Sequence, residues 1–174
     1  MRTKSGYILM ALVTGALFLC QCEKEKSADK TLSGKLLSYS ECKDFTKSTT
    51  GSETLADTLS CVRYHYDIET RKLTLKHINT GFNCCPEELY CSFSSNNDTL
   101  FISESEKSAS CDCNCLFDMN IEIADIDAGK YQVKFIEPYA ENLDRLVFEI
   151  DLINQPEGSY CVTRKWYPWG QFSL

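Results

Sequence analysis

Most of this chain alternates apolar and polar residues with a period of two, and that alternation limits its fold more than any other feature. In Leu59–Asp67, the side chains of Val62, Tyr64 and Tyr66 share one face. Because alternate residues of a β-strand point to the same side, each such segment predicts a strand with one buried face. The alternating segments are Lys35–Cys42, Leu59–Asp67, Lys72–Asn79, Leu89–Phe93, Leu100–Glu104, Met119–Ala124, Tyr131–Phe135, Leu146–Leu152 and Ser159–Arg164.

These eight or nine short strands, separated by turn residues, predict an all-β fold, since no segment carries a helical stripe. Strands with one polar face form antiparallel sheets that are covered on one side. We therefore expect an antiparallel two-sheet β-sandwich, immunoglobulin-like in general architecture, with a closed β-barrel as the alternative. Within it, Asp127-Ala128-Gly129 predicts a hairpin turn between two strands, with a positive φ at Gly129.

The first residues form an export signal rather than part of the fold. Arg2 and Lys4 precede 17 uncharged residues, Ser5–Gln21. A membrane-spanning helix needs about 20 predominantly apolar residues, so a cleaved signal is the better interpretation. We divide the chain into a signal peptide at 1–21, a charged flexible tether at 22–33 and a single disulfide-stabilised β-sandwich domain at 34–174.

A cysteine follows the apolar region directly. Cys22 stands three residues after Leu19 and is followed by a run of alternating Glu and Lys. This arrangement resembles a bacterial lipoprotein signal, in which lipid is joined to the cysteine sulfur and the chain is cleaved just before it. Cys22 is the predicted lipid anchor, and Cys20, three residues after Leu17, is the alternative. The resemblance implies a palmitate-bearing lipoprotein of the bacterial cell envelope, held at the outer membrane on its periplasmic or surface face.

The remaining cysteines are numerous for a chain of this size. An exported chain meets an oxidising compartment, so disulfides are expected. Six of these cysteines form two clusters, 84/85/91 and 111/113/115. Because neighbouring cysteines within a cluster are poorly placed to pair with each other, we predict at least one bridge between the two clusters. Cys61 and Cys161 are a second plausible pair. The nine disulfide candidates are Cys42, Cys61, Cys84, Cys85, Cys91, Cys111, Cys113, Cys115 and Cys161. Because nine is odd, at least one sulfur stays unpaired or binds a metal.

The clustered cysteines also permit a thiolate site for Zn(II) or Cu(I). Its spacing is not that of common zinc ribbons, since the chain has no Cys-x-x-Cys, and the same absence argues against a thioredoxin-like redox site. Disulfides, with no cofactor, are the preferred interpretation. The candidate ligands of the alternative are Cys84, Cys85, Cys111, Cys113 and Cys115.

Charge and motifs limit the function classes. The formal charge of −7 argues against nucleic-acid binding. No nucleophile–base set, phosphate loop or dinucleotide motif is present, so we expect no enzyme. The two histidines, His65 and His77, lie in predicted strands and are more easily explained as imidazoles without a role than as a metal-binding pair. Near the C-terminus, Trp166, Tyr167 and Trp169 form a possible ligand platform, or cover one end of the sandwich.

Several short motifs of the mature chain carry a further resemblance: they are Ser40-Glu41-Cys42-Lys43, Asn83-Cys84-Cys85-Pro86, Cys111-Asp112-Cys113-Asn114-Cys115-Leu116-Phe117-Asp118, Gly129-Lys130-Tyr131 and Tyr167-Pro168-Trp169. Together with the lipoprotein-like signal, they look like those of small, cysteine-rich lipoproteins of Bacteroides-like bacteria. That family has no established activity, so the resemblance implies a location and a β-sandwich but no catalytic residues. We expect a membrane-anchored, non-enzymatic binding or structural module with an unidentified glycan, peptide or protein partner. A metal-binding protein is the alternative.

Overall fold

The computed structural model describes residues 30–43, 55–140 and 145–165. In these ranges the secondary structure is entirely strand and turn, and none of the described residues forms a helix long and apolar enough to cross a membrane. The strands are β1 (Lys30–Thr31), β2 (Gly34–Tyr39), β3 (Leu59–Asp67), β4 (Lys72–Asn83), β5 (Pro86–Asn96), β6 (Thr99–Ala109), β7 (Asn114–Ile123), β8 (Lys130–Ile136), β9 (Val147–Asp151) and β10 (Glu157–Thr163).

The strands form two sheets that pack face to face, which confirms the predicted β-sandwich over the closed barrel. Sheet I has the order β1-β5-β6-β8-β9, and sheet II has the order β10-β3-β4-β7-β2. Every neighbouring pair is antiparallel except β6 and β8, which run parallel. The inward faces of both sheets supply one apolar core, which includes Leu75 and Met119 from sheet II and Ile102 and Val133 from sheet I.

The predicted hairpin at Asp127-Ala128-Gly129 is wrong. The strands that flank this turn, β7 and β8, lie in different sheets, so the segment is a crossover between the two layers. The positive φ in this connection belongs to Asp125, at 55°, and not to Gly129. Asp tolerates this conformation better than most residues with a side chain. Sequence alternation identifies both strands but carries no information on which sheet each one joins.

The sandwich begins before the predicted domain boundary at residue 34. Lys30 and Thr31 pair with Ser95 and Ser94 of β5, and Leu32 packs against the core. The last residues of the proposed tether are therefore part of sheet I. The adjacent edge of β5 offers free backbone donors and acceptors. Backbone pairing does not depend on side-chain charge, so residues of a charged tether can form this ladder.

Four disulfides cross-link the described residues. Cys61–Cys161 joins β3 to β10 at directly paired positions, with the Cα atoms 4.1 Å apart, as predicted. Cys84–Cys113 and Cys85–Cys111 confirm the predicted bridging between the two clusters. The fourth, Cys42–Cys115, joins the segment after β2 to β7. Four disulfides indicate an oxidising, extracytoplasmic environment.

Cys91 is a correction to the list of disulfide candidates, because it is a free thiol. It lies in the middle of β5, directly opposite Glu104 of β6, and its side chain packs against the core. Burial and the nearby Glu104 raise the pKa of its thiol far above the usual range. A thiol in such surroundings is unreactive at neutral pH, since the thiolate is the reactive form.

Candidate functional site

An open groove separates the edge of sheet I from the edge of sheet II. It has a volume of about 360 Å³ and lies between β2 and β5. We call it the β2–β5 groove. Its lining residues are Leu36, Leu37, Ser38, Tyr39, Glu88, Leu89, Tyr90 and Cys91.

Both strands that border the β2–β5 groove have an unpaired edge. β2 is the last strand of sheet II, and within the described ranges it pairs only with β7. On β5, the side away from β6 pairs with β1 only at Ser94 and Ser95, so among the described residues its Pro86–Ser92 portion has no strand beside it. An unpaired edge presents a row of backbone donors and acceptors that can pair with another strand.

The side chains at these edges are unusually apolar for a surface. Leu37, Tyr39 and Tyr90 are 49%, 41% and 46% exposed. Leu37 sits at a bulge, where the register of β2 against β7 shifts between Leu36 and Ser38. Glu88 lies in the same groove and forms no ion pair among the described residues. The groove therefore combines strand edges, apolar side chains and one carboxylate.

A cluster of polar and charged side chains lies in the interior, between the two sheets. We call it the buried ionic cluster, and its described members are Ser60, His77, Thr80, Glu104, Glu137 and Arg164. His77 Nδ1 lies 2.7 Å from Glu104 Oε1, and Ser60 Oγ lies 2.9 Å from His77 Nε2. Arg164 Nη2 donates to Glu137 Oε2 at 2.6 Å. Glu137 Oε1, 3.8 Å from His77 Nε2, accepts no hydrogen bond in the described structure.

A bulge in β4 explains how two residues of one strand reach the same carboxylate. The pairing of β4 with β7 shifts between Ile78 and Thr80, which leaves Asn79 as the extra residue, with φ at 62°. Because the bulge changes the strand's alternation, His77 and Thr80 both point inward. His77 faces one oxygen of Glu104, and the Thr80 hydroxyl donates to the other at 2.9 Å.

The cluster's charges nearly balance when His77 is protonated. Burial lowers the pKa of His77, but the carboxylates of Glu104 and Glu137 outweigh this, and the net pKa is raised. Burial also raises the pKa of Glu137, against the opposing effect of His77 and Arg164. Two carboxylates facing an imidazolium and a guanidinium form a nearly neutral group, which is how buried charges are tolerated.

Ser60, His77 and Glu104 follow the order of a hydrolytic triad, with a hydroxyl, an imidazole and an orienting carboxylate. Their exposed fractions are 0%, 0% and 3%. A nucleophile must reach a substrate carbonyl to act, and this hydroxyl is sealed between the sheets. A carboxylate and a guanidinium also lie beside it, so the arrangement is best suited to fixing the packing of the sheets.

Six of the bridged cysteines lie close together at one end of the sandwich. One disulfide joins the chain after β2 to the start of β7, and the other two join the β4–β5 connection to the β6–β7 connection. The five ligands of the alternative metal hypothesis are all in disulfides here, and Cys42 joins them. The Sγ atoms of Cys42, Cys84 and Cys115 lie within 4.8 Å of one another.

The two histidines lie on adjacent strands but on opposite faces. The His65 side chain is 63% exposed and sits 3.8 Å from Glu157, whereas His77 is buried. The structure therefore does not bring them together. The predicted lipid anchors Cys22 and Cys20 lie outside the described residues, as do the platform residues Trp166, Tyr167 and Trp169.

The sequence interpretation missed Glu104, Glu137 and Arg164. A signal for the first was present, since Glu104 is in phase with Leu100 and Ile102, the inward residues of β6. Glu137 and Arg164 carry the same signal, since each stands two residues after an inward side chain, Phe135 and Val162, but each lies one residue beyond the end of its strand.

Comparison of the chain with protein-family models, curated proteins and solved structures gives no significant match.

Proposed function

We propose that this protein is an exported lipoprotein, anchored in the cell envelope through Cys22, whose sandwich binds an extended strand of another protein without catalysis. The observation that carries the proposal is the β2–β5 groove, where two unpaired strand edges flank exposed Leu37, Tyr39 and Tyr90. Addition of a partner strand to a free edge is a recurring mode of peptide recognition.

The groove's chemistry specifies its partner. Backbone pairing with β2 or β5 requires an extended segment, because only a strand presents donors and acceptors at the matching spacing. Alternate apolar side chains of that segment would cover Leu37 and the two tyrosines. A Lys or Arg in the segment would pair with Glu88, which has no cationic partner among the described residues.

Two observations support a non-enzymatic role in the envelope. The arrangement of Ser60, His77 and Glu104, which has the residue types of a hydrolytic triad, is buried, and four disulfides suit an exported protein. The lipoprotein-like signal at 1–21, directly before Cys22, supports the anchor. Mass spectrometry of the N-terminal peptide after bacterial expression should find lipid on Cys22, and Cys22→Ser should release the protein from membranes. Lipid on Cys20, or a cleaved chain without lipid, would overturn the Cys22 assignment.

The groove is tested with a displayed library of random peptides, selected on the purified mature protein. We expect enrichment of peptides that alternate apolar and polar residues and carry a Lys or Arg. The double variant Tyr39→Lys/Tyr90→Lys should bind the enriched peptides at least about tenfold more weakly, since charged lysines on an edge are a known obstacle to strand addition.

Ile153→Lys is the matched control, because Ile153 is a 64% exposed apolar residue outside the groove. This variant should bind as the unchanged protein does. Equal binding by the double variant would contradict the proposal, as would enrichment of peptides without alternation. If the unchanged protein dimerises in sedimentation experiments and the double variant does not, the occupant of the groove is a second copy of this chain. That result would contradict the binding of a strand from another protein.

A further inference from the structure

The six-cysteine end of the sandwich contains a sulfur cluster that could serve more than cross-linking. The Sγ atoms of Cys42, Cys84 and Cys115 lie within 4.8 Å of one another. A fourth sulfur, that of Cys113, is bonded to Cys84. We call these four residues the sulfur cluster. They come from three separate segments of the chain, so the fold itself brings them together.

Backbone contacts hold these segments together independently of the sulfur–sulfur bonds. The amide of Lys43 donates to the carbonyl of Leu116 at 2.9 Å, and the amide of Cys84 donates to the carbonyl of Cys113 at 2.9 Å. The β4–β7 ladder continues through the pair Phe82 and Cys115. Cleavage of the two disulfides would therefore leave four thiols close to one another.

The Asn83 side chain reinforces the same region. Its Nδ2 donates to the carbonyl of Cys111 at 2.5 Å, and its Oδ1 accepts from the amides of Cys85 and Cys111 at 3.0 and 3.3 Å. This residue is buried. It fixes the start of β7 against the end of β4, on which the positions of Cys113 and Cys84 depend.

Four thiolates at this spacing suit a thiophilic d10 cation. Zn²⁺ binds four Cys sulfurs at about 2.3 Å in a tetrahedron, which places the sulfurs about 3.8 Å apart. The sulfurs of Cys42, Cys84 and Cys115 already lie within 4.8 Å of one another. Cys113, which is bonded to Cys84, would complete the tetrahedron by side-chain rotation once that bond is cleaved. Two of the four residues, Cys42 and Cys113, are exposed, Cys84 is half-buried and Cys115 is buried. An ion would therefore reach the site directly from solvent and bind against one buried sulfur.

We propose that the reduced protein binds one Zn²⁺ ion through Cys42, Cys84, Cys113 and Cys115. Two molecules of a dithiol reductant would each give two electrons and two protons to one disulfide, and would themselves become disulfides. The four thiols would then release four protons to solvent as Zn²⁺ binds, leaving a tetrathiolate centre of net charge −2. The site goes beyond the peptide-binding function and does not depend on it.

The test uses the full mature chain, reduced and transferred to oxygen-free buffer without reductant, and titrated with Co²⁺ as a visible probe. We expect one Co²⁺ per chain, with the strong absorption of tetrahedral thiolate-bound cobalt, and displacement by Zn²⁺. Cys42→Ser and Cys113→Ser should each weaken Co²⁺ binding by more than about 100-fold, because second-shell changes alone reach that size.

Cys85→Ser/Cys111→Ser is the matched control, since these residues form the neighbouring bridge outside the cluster. This double variant should bind Co²⁺ as the unchanged sequence does. A second readout needs no substitution: Zn²⁺ should protect the four cluster cysteines from alkylation, mapped by mass spectrometry, and leave Cys85 and Cys111 reactive.

Either of two results would overturn the proposal. One is the absence of stoichiometric Co²⁺ binding by the reduced chain. The other is equal protection, or equal loss of binding on substitution, at Cys85 and Cys111. If the reduced chain unfolds and Co²⁺ restores its strand signal in circular dichroism, the proposal is supported, because metal binding then supplies folding free energy.

Discussion

The described part of the buried ionic cluster contains four ionisable side chains, His77, Glu104, Glu137 and Arg164, and their charges depend on one another. Glu104 has two partners, the imidazole of His77 and the hydroxyl of Thr80. Glu137 is held by Arg164. Each carboxylate is thereby paired with one cation when His77 is protonated. Removal of any one member would leave a buried charge without compensation, which is more costly than loss of the whole group.

The protonation of His77 predicts a stability that falls as the pH rises. The folded-state pKa of His77 is raised above its unfolded value of about 6.5. Its stabilising contribution is therefore fully present below about pH 6.5 and is lost as the pH rises through the folded pKa. The raised pKa of Glu137 acts in the same direction, from a lower starting pH. Urea unfolding of the oxidised protein at pH 5.5, 7 and 8.5 should give a decreasing free energy of unfolding.

His77→Gln should flatten this pH dependence and lower the free energy of unfolding at pH 5.5 by about 3–5 kcal/mol, since it breaks a buried ion pair. His65→Gln, on the exposed face of β3, is the control and should retain the slope. A slope unchanged in His77→Gln would contradict the assignment. Exposed carboxyls with a lowered pKa lose their stabilising effect only below about pH 4, so they do not contribute in this range; they are Asp67, Glu87, Glu122 and Asp151.

At the scale of single strands, the first residue of β2 shows how tightly the sheets meet. A Cβ atom added at Gly34 would overlap the ring of Phe93, which packs inward from β5. Glycine is required here by the close approach of a side chain from the opposite sheet. The same contact positions β2 beside β5 and so sets the width of the β2–β5 groove.

Gly34→Val should therefore destabilise the protein by about 1–3 kcal/mol, the usual cost of overpacking. Because Phe93 must move, peptide binding at the groove should weaken as well. Gly129→Ala is the control, since its Cβ would come no closer than 3.4 Å to Tyr131. Urea unfolding of both variants checks the prediction, and equal stability of Gly34→Val and the unchanged protein would show that β2 is not held against Phe93.

Strand positions were predictable at this scale because each strand has one buried and one exposed face. Leu59–Asp67 matches β3 in full, and β4 begins at the predicted Lys72 but extends four residues further, to Asn83. The extension was hidden because the bulge at Asn79 breaks the alternation and both faces of the strand's end are buried. The groove was not predictable either, since it depends on which strands end each sheet, and β2 and β5 are distant in sequence.

At the scale of the whole molecule, the four disulfides contribute unequally. Cys61–Cys161 closes a loop with a sequence separation of 100. Cys85–Cys111 lies beside Cys84–Cys113, so in the presence of its neighbour it closes a loop of only a few residues. A disulfide stabilises mainly by restricting the unfolded chain, and the effect grows with the length of the loop.

Cys61→Ala/Cys161→Ala should therefore lower the free energy of unfolding by about 4 kcal/mol, and Cys85→Ala/Cys111→Ala by about 2 kcal/mol or less. The two double variants serve as each other's control, because each removes one bridge and two sulfurs. Urea unfolding without reductant measures both. The reverse order would show that native-state packing of the sulfurs, rather than restriction of the unfolded chain, determines their effect.

The parallel pairing of β6 with β8 also determines the order in which the sandwich can be completed. After β6 the chain leaves sheet I, forms β7 in sheet II and only then returns to place β8 beside β6. Hairpins such as β3–β4 and β5–β6 can form early, but β6 keeps one open edge until residues 130–136 are available. During synthesis from the N-terminus, β6 therefore exposes an unpaired edge that can pair with the wrong strand until β8 has been made. Sheet I is complete only after this long-range pairing of β8 with β6. We therefore expect folding in the millisecond-to-second range that is typical of β-sandwiches.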